Sequence, residues 1–361
     1  MKIFYDHLIF SLQKYGGVSK YFCELINCIP HEQWLAPILF SDNEYLNALK
    51  IIKQRQIFGL GNFRGRTRLH IELGKFYTIY KAMTKEFDIY HQTHFDNFLF
   101  PFIKNKKIVT TFHDTVFSQI PPKGSYWRNI TQRQQVAIRR ADKVIAISKN
   151  TKNDLLKFFS VDENKVTVIY HGINKTPLLL PSERIVDYPY ILYVGTREKQ
   201  KNWSNFVKAF SLLAKKELDI RLLCTGKTFS VSEKELLKDL DILDKTFAIS
   251  ASEKIMAQLY RDAEMFVFPS YYEGFGMPIL EAMVYGCPVV LSNTSCFPEI
   301  AGEAGCYFDP LNIEDIAYKM KIMLSDKELK KRHIGLGKKL LENFSWEKCA
   351  QEHIDLYKSI L

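Results

Sequence analysis

Residues 265–292 read MFVFPSYYEGFGMPILEAMVYGCPVVLS, and the fold is decided there. Met265 to Phe268 is a short apolar run closed by Pro269 and Ser270, the pattern of a buried parallel strand. Tyr271 to Gly276 form a turn in which Gly274 and Gly276 allow backbone angles that side chains disfavour. Pro278 suits a first helical turn. The helix should run to about Tyr285 and stop at Gly286, a good residue for the position after a helix. Cys287 to Leu291 begins the next strand. The unit is strand, glycine turn, helix, strand, with the helix N-terminus facing the loop at the strand's carboxyl end. Open α/β sheets bind ligands at that end, and the N–H groups of a helix start suit a phosphate.

Two carboxylates make the stretch unusual. Glu273 sits in the turn, and Glu281 follows about one turn into the helix. Between Met277 and Leu291, Glu281 is the only charged residue, flanked by Ile279, Leu280, Met283 and Val284. A helix-start glutamate favoured by the macrodipole would have polar flanks. A carboxylate in an apolar helix needs a partner.

The pair embedded in FPSYYEGFGMPILEAMVYGCPVVLSN resembles the signature of family-4 retaining glycosyltransferases of the GT-B fold. The resemblance implies an α/β protein of two Rossmann-like domains facing across a cleft. The acceptor-binding domain would span 1–178 and the nucleotide-sugar domain 189–345. A C-terminal helix, 346–361, would pack back on the first domain, and 177–189 would be the linker.

The composition is that of a globular chain: 361 residues, 47% hydrophobic and 25% charged, long enough for about two domains. No apolar run is long enough to span a membrane. Asp6 and His7 interrupt what could otherwise be a signal-peptide core. The seven cysteines are scattered through apolar segments with no CxxC pair, which predicts reduced core thiols in a cytosolic protein. The net charge of +10 is unevenly spread: residues 1–176 hold 26 Lys+Arg against 14 Asp+Glu, whereas 177–361 hold 24 against 26. No nucleic-acid-binding signature accompanies the basic half. The excess therefore points to an anionic membrane surface or an acidic lipid-linked substrate, beside the plain alternative of a solvated basic face.

In the first half, Lys2–Phe10 reads as strand one, followed by the Gly16-Gly17 turn and a helix from Val18 to Ile29. The resemblance makes YGGVSKYF a glycine loop near the donor phosphate and the acceptor, with Gly17 on the donor and Tyr15 on the acceptor. Residues 53–86 are basic and aromatic. Leu69, Leu73, Phe76, Tyr80 and Met83 recur at helical spacing, although Gly74 interrupts the pattern. The preceding loop, with Phe58, Leu60, Phe63, Arg64, Arg66 and Arg68, could rest on a headgroup surface. His113-Asp114 follows the apolar strand Ile108–Phe112, at a strand end where function is presented. The resemblance has His113 line the sugar pocket, with Asp114 and His94 on the acceptor side. Residues 118–135 read as a Pro/Gly/Ser-rich acceptor-side loop entering a helix.

In the second half, Tyr190–Gly195 is a strand, and the turn after it carries Arg197, Lys199 and Lys201 before a helix from about Trp203. Cations oppose the dipole of a helix start, so solvation explains them poorly. The resemblance assigns Lys201 to the nucleotide diphosphate directly. It assigns Arg197 less directly, because Thr196 stands where the family arginine often falls. VGTREKQKN is closest to members resembling mannosyltransferases. Asp239-Leu240-Asp241 has the spacing of metal-dependent transferases of another fold, but it lies at the polar end of a helix and reads as a solvated face.

The expected chemistry is sugar transfer from a nucleotide-diphosphate sugar, with GDP-mannose favoured, and with no metal and no cofactor. Lys201, Arg197 and the N–H groups of Phe275, Gly276 and Met277 would stabilise the leaving diphosphate. Glu281 would hold the ribose, while Glu273 and His113 would flank the sugar. The partners would be the donor, a glycan or lipid-linked acceptor and an anionic membrane surface, with no nucleic acid. The location would be cytoplasmic, peripheral to the inner face of the membrane. A GT-B epimerase or phosphorylase, or a non-catalytic sugar-nucleotide-binding protein, would share the fold. A nucleic-acid binder would leave the two glutamates unexplained.

Overall fold

A computed structural model describes residues 1–49, 65–115, 129–215 and 219–361. The basic loop carrying Phe58, Leu60, Phe63 and Arg64, and most of the 118–135 loop, lie outside them. The chain forms two compact units, one of Met1–Gly172 with Trp346–Leu361 and one of Ile173–Ser345.

The first unit is built on six parallel strands: β1 (Ile3–Tyr5), β2 (Trp34–Leu35), β3 (Ile89–Gln92), β4 (Lys107–Phe112), β5 (Lys143–Ala146) and β6 (Val166–Val168). Their order is β2-β1-β3-β4-β5-β6. The expected strand over Lys2–Phe10 ends early, at Tyr5, and Leu8–Leu12 is a helix. Asp6 causes the break. Its fully buried carboxylate accepts from the Leu8 N–H (2.9 Å), the Thr93 N–H (2.9 Å), the Thr93 hydroxyl (2.7 Å) and the Tyr90 hydroxyl (2.7 Å). A buried charge so fully bonded ties β1 to the end of β3 instead of continuing the strand.

The second unit is built on β7 (Tyr190–Tyr193), β8 (Arg221–Thr225), β9 (Thr246–Ile249), β10 (Met265–Phe268), β11 (Val289–Ser292) and β12 (Gly305–Phe308). All pair in parallel in the order β12-β11-β10-β7-β8-β9. The order reverses between β7 and β10, so the loops leaving these two strands are the ones that open a crevice. Every side chain of β10 is buried, which accounts for its unbroken apolar run. The helix after it spans Met277–Val284, and Gly286 adopts φ 69°, the left-handed conformation that ends it.

The Arg66–Thr84 helix runs through the predicted periodic segment, but its apolar row does not face the core. His70, Gly74, Thr78 and Ala82 are buried instead. Gly74 explains the choice. A Cβ there would overlap the His7 imidazole, whose nitrogens bond to the Ile71 carbonyl (3.1 Å) and the Thr78 hydroxyl (2.8 Å). Only glycine lets the helix come this close. Helix propensity alone would favour Gly74→Ala by about 1 kcal/mol. The overlap with a doubly held ring should outweigh that and lower stability by about 2 kcal/mol, read as an earlier urea midpoint.

Candidate active site

The loops leaving β7 and β10 meet at the reversal of strand order. Lys201 closes the 3-10 turn Lys199–Lys201, and Asn202 follows at φ 54°. Asn202 holds that left-handed turn by donating to the Pro310 carbonyl at 2.8 Å. From the other loop, the Tyr271 N–H donates to the Gln200 carbonyl at 2.9 Å. So joined, the loops bring the Lys201 ammonium to 2.5 Å from Glu273 Oε1. Lys201 also lies over the Phe268 ring, 5.7 Å from its centroid. The two side chains are 21% and 16% exposed, so the pair is recessed yet reachable. Glu273 accounts for one of the three ammonium donors.

Ser295 holds Glu273 from behind. Its hydroxyl accepts from the Glu273 N–H at 3.1 Å and donates to the Glu273 carbonyl at 2.7 Å. Ser295 itself adopts φ 56°, rare for a residue with a side chain. Sequence reasoning did not single it out, since a serine in NTSC carries no sign of a left-handed backbone.

Gly276 caps the Met277–Val284 helix at φ 85°. A Cβ there would press on Ile279 and Phe297, at 3.0 and 3.3 Å, so both angle and space call for glycine. Met277 opens the first turn; Pro278 beside it has no N–H and the Ile279 N–H donates to the Gly276 carbonyl at 2.9 Å, so Met277 supplies the N–H of that turn that has no intrahelical acceptor. Phe275 is buried, its ring edge-on to Phe344 at 6.0 Å. The apolar flanks of Glu281 do come with a partner: the Tyr260 hydroxyl donates to its Oε2 at 3.4 Å. Burial, and then the Glu281 charge, push the Tyr260 phenol well above its ordinary pKa and keep it a donor.

Arg197 is held differently from Lys201. Its Nε donates to Glu233 at 2.7 Å and its Nη2 to the carbonyls of Lys227 (2.6 Å) and Thr228 (3.1 Å). The guanidinium stacks over Phe229, 4.9 Å from the ring centroid. Burial works to raise the Glu233 pKa, but hydrogen bonds from Ser230 and Arg197 outweigh it and keep the carboxyl below its usual range. Arg197 therefore fixes the turn after β8, while Lys201 is the cation beside Glu273. Asp239 ends the Val231–Asp239 helix, which leaves the carboxyl end of β8. The Asp239-Leu240-Asp241 segment thus falls at the far edge of the sheet. Among the described residues, no group of three or more His, Cys, Asp or Glu is arranged to hold a metal.

The remaining candidates lie in the first unit. Gly17 opens the Gly17–Asn27 helix, and a Cβ on it would meet nothing within 4 Å. Packing does not demand glycine there. Tyr15 is 64% exposed, edge-on to Tyr45 at 6.4 Å. His94 and Asp114 are half-buried. Burial lowers the His94 pKa against the pull of Asp6 and Asp96. His113 follows β4 with its Nε2 buried and unbonded, its ring edge-on to Tyr21 at 4.8 Å. Burial, and then His353, bring the His113 pKa down to about 3, so its imidazole is neutral at pH 7.

Behind His113 runs a chain of buried hydrogen bonds. His353 Nδ1 lies 2.7 Å from the Cys349 carbonyl, which can only accept, so Nδ1 carries the proton. Its Nε2 must then accept from the Tyr21 hydroxyl at 2.6 Å. Tyr21 in turn accepts from Thr111 across a long 3.5 Å contact. The row continues through the pairs Thr111–His91 Nε2 (2.8 Å), His91 Nδ1–Tyr357 (2.6 Å) and Tyr357–Tyr5 (3.3 Å). One backbone carbonyl thus sets the His353 tautomer and the Tyr21 proton, and the Trp346–Lys358 helix is bonded into the first unit.

Two family profiles match this chain, Glycosyltransferase Family 4 over residues 15–176 and Glycosyl transferases group 1 over residues 180–340. O-antigen chain mannosyltransferase B of Escherichia coli is 28% identical over 283 residues, 73% of each chain. The solved structure of sucrose-phosphate synthase from Thermosynechococcus elongatus is similar at a TM-score of 0.77 and 16% identity, over 100% of this chain and 99% of that one. Anabaena HepE in complex with UDP-glucose is similar at a TM-score of 0.77 and 16% identity, over 99% and 100%. With its two parallel six-stranded sheets, the chain is a glycosyltransferase of the GT-B fold. It belongs to the family-4 glycosyltransferases.

Proposed function

We propose that this chain transfers mannose, with retention and without a metal ion, from GDP-mannose to a lipid-linked polysaccharide or lipopolysaccharide intermediate, working at the cytoplasmic face of the membrane. The observation that carries the reading is the Lys201–Glu273 pair, 2.5 Å apart where the strand order reverses. The mannose assignment is supported by the name of the Escherichia coli relative.

Departure of a nucleoside diphosphate builds negative charge on the bridging oxygen, and fixed donors lower that barrier. Lys201 has two ammonium donors left for phosphate oxygens, and the start of the Met277–Val284 helix adds the N–H groups of Gly276 and Met277 and its dipole. Arg197 keeps the neighbouring turn in shape and adds positive field. Glu273 accepts from sugar hydroxyls and steadies the oxocarbenium-like transition state, while Glu281 accepts from the ribose. His113, as a neutral imidazole, offers Nε2 to the sugar. Gly17 leaves room for a phosphate or the acceptor, with Tyr15, His94 and Asp114 on the acceptor side.

A panel of UDP- and GDP-sugars tests this reading by thermal shift and donor turnover in EDTA, with Glu281→Ala alongside. GDP-mannose should raise Tm, the shift should survive chelation and it should shrink in the variant. Stabilisation by a UDP-sugar alone would move the donor assignment. No response to any nucleotide sugar would sink the reading, and loss of the response in EDTA would make the reaction metal-dependent.

A further inference from the structure

Ser295 is a serine in a backbone conformation that suits glycine. It stands at φ 56° in the turn between β11 and the short helix Phe297–Ala301. Glycine reaches that region without the clash a Cβ makes, so a side chain kept there must offset the strain by what it bonds. The Ser295 hydroxyl bonds both backbone groups of one residue, accepting from the Glu273 N–H at 3.1 Å and donating to the Glu273 carbonyl at 2.7 Å. The peptide planes on either side of Glu273 are thus tied to a single oxygen. Only the side-chain torsions are left for the Lys201 contact to fix.

The turn that carries Ser295 is itself anchored. The Asn293 N–H donates to the Phe308 carbonyl at 2.7 Å, which ties the turn to β12. Cys296 and Phe297, next in the chain, are fully buried, and the Phe297 ring packs on Phe268 at 5.0 Å between centroids. Phe297 is also a ring that a Cβ at Gly276 would press on, at 3.3 Å. Residues 295–297 therefore bear on both ends of the turn from Glu273 to Gly276. The loop after β7 holds the same turn from the other side, through the Tyr271 N–H to the Gln200 carbonyl at 2.9 Å. β10 lies between β11 and β7 in the sheet, so its loop is gripped from both neighbours.

We propose that Ser295 is a positioning residue for sugar transfer, its hydroxyl fixing the backbone of Glu273 so that the carboxylate meets the reacting sugar in one place. Ser295 acts through Glu273 and not on the substrate. The inference rests on the reading of Glu273 as the carboxylate beside the sugar. Misplacing such a group by about 1 Å costs on the order of 100-fold in rate. Nucleotide binding is assigned to Lys201, the helix start and Glu281, so the loss should fall on kcat and leave nucleotide affinity in place.

Ser295→Gly separates the two roles a serine can have here. Glycine suits φ 56°, so a residue kept only for the turn would be replaced without loss, and Tm should stay within about 4 °C of wild type. The kcat for turnover of GDP-mannose, or of whichever nucleotide sugar the donor panel selects, should nevertheless fall by about 10- to 100-fold. Affinity for the matching nucleoside diphosphate should stay within about threefold. Ser295→Ala, which keeps the Cβ but lacks the hydroxyl, should lose the same factor in kcat. Added to Glu273→Gln, Ser295→Gly should lower kcat by no more than about twofold further, because the hydroxyl works through that residue. A Ser295→Gly enzyme within about threefold of wild-type kcat would overturn the proposal, as would its full loss reappearing on top of Glu273→Gln. So would a fall in kcat matched by an equal fall in nucleoside diphosphate affinity. Glu273→Gln within about fivefold of wild type would instead remove the reading beneath the proposal, so the two failures are told apart.

Discussion

Lys201→Ala is expected to lower kcat/KM for sugar transfer by about 10³-fold, the upper range for losing one preorganised donor to a developing oxyanion. The size follows from the position. The ammonium stands 2.5 Å from Glu273 in a recess where neither side chain is more than about a fifth exposed. Its removal takes a cation from the diphosphate and leaves the Glu273 carboxylate without its counter-ion. Glu273→Gln should cost a comparable factor through the other half of the pair. Because both charges act on one transition state, the double variant should fall little below the worse single one. Lys201→Arg should rescue only partly, since a planar fork does not match a compact ammonium. Steady-state kinetics on the four variants, with Tm as a folding control, decides the matter. Strict additivity, or a Lys201→Ala enzyme within about fivefold of wild type, would remove the pair from the mechanism.

Acid should unfold the first unit before the second. His91, His171 and His353 are buried, and burial lowers the pKa of each, His353 to about 4. The neighbouring imidazoles of His113 and His353, with which a second positive charge would have to share the site, reinforce the shift at His91 and His171. Such groups stay neutral in the folded state, whereas in the unfolded chain they take up a proton near pH 6.5. Their contribution is complete above that value. It is lost as pH falls from 6.5 toward 4, because only the unfolded chain gains protons. Three such groups give a slope of about 4 kcal/mol per pH unit, so reaching pH 5 costs about as much as a whole domain's stability. Eight of the nine histidines belong to the first unit, and His333 is the single one in the second. Calorimetry at pH 7.5 and pH 5.5 should show one transition moving strongly down and the other staying nearly fixed. Parallel movement of both would show that the buried imidazoles do not control acid stability.

What the sequence discloses here is local. The strand, turn and helix of residues 265–292 could be read because each boundary has a chemical marker: Pro269, the glycines of the turn, Pro278 and Gly286 at φ 69°. The partner of Glu281 was foreseeable in kind, as its apolar flanks demanded one, but not as Tyr260. The Lys201–Glu273 contact spans 72 positions and depends on β7 and β10 being neighbours, which no spacing reveals. The outward row of the Arg66–Thr84 helix was misleading for a related reason. Periodicity reports that a face is apolar, not which way it points, and Gly74 against His7 turns it. The edge strand β2 is two residues long, and Pro37 interrupts the apolar run that contains it, so it left no clear signature.

The row of buried hydrogen bonds that ends at the Cys349 carbonyl also bears on the order in which the protein can be made. The second unit is encoded without interruption, residues 173–345, and has its complete sequence once Ser345 has been added. The first unit, though most of it is translated ahead of the second, still lacks the Trp346–Lys358 segment at that point. Until that segment is translated, Tyr21 and His91 have no His353 or Tyr357 to bond. The unit that begins first is therefore the one that finishes last, and the nascent chain must carry an open histidine cluster through synthesis of the entire second unit.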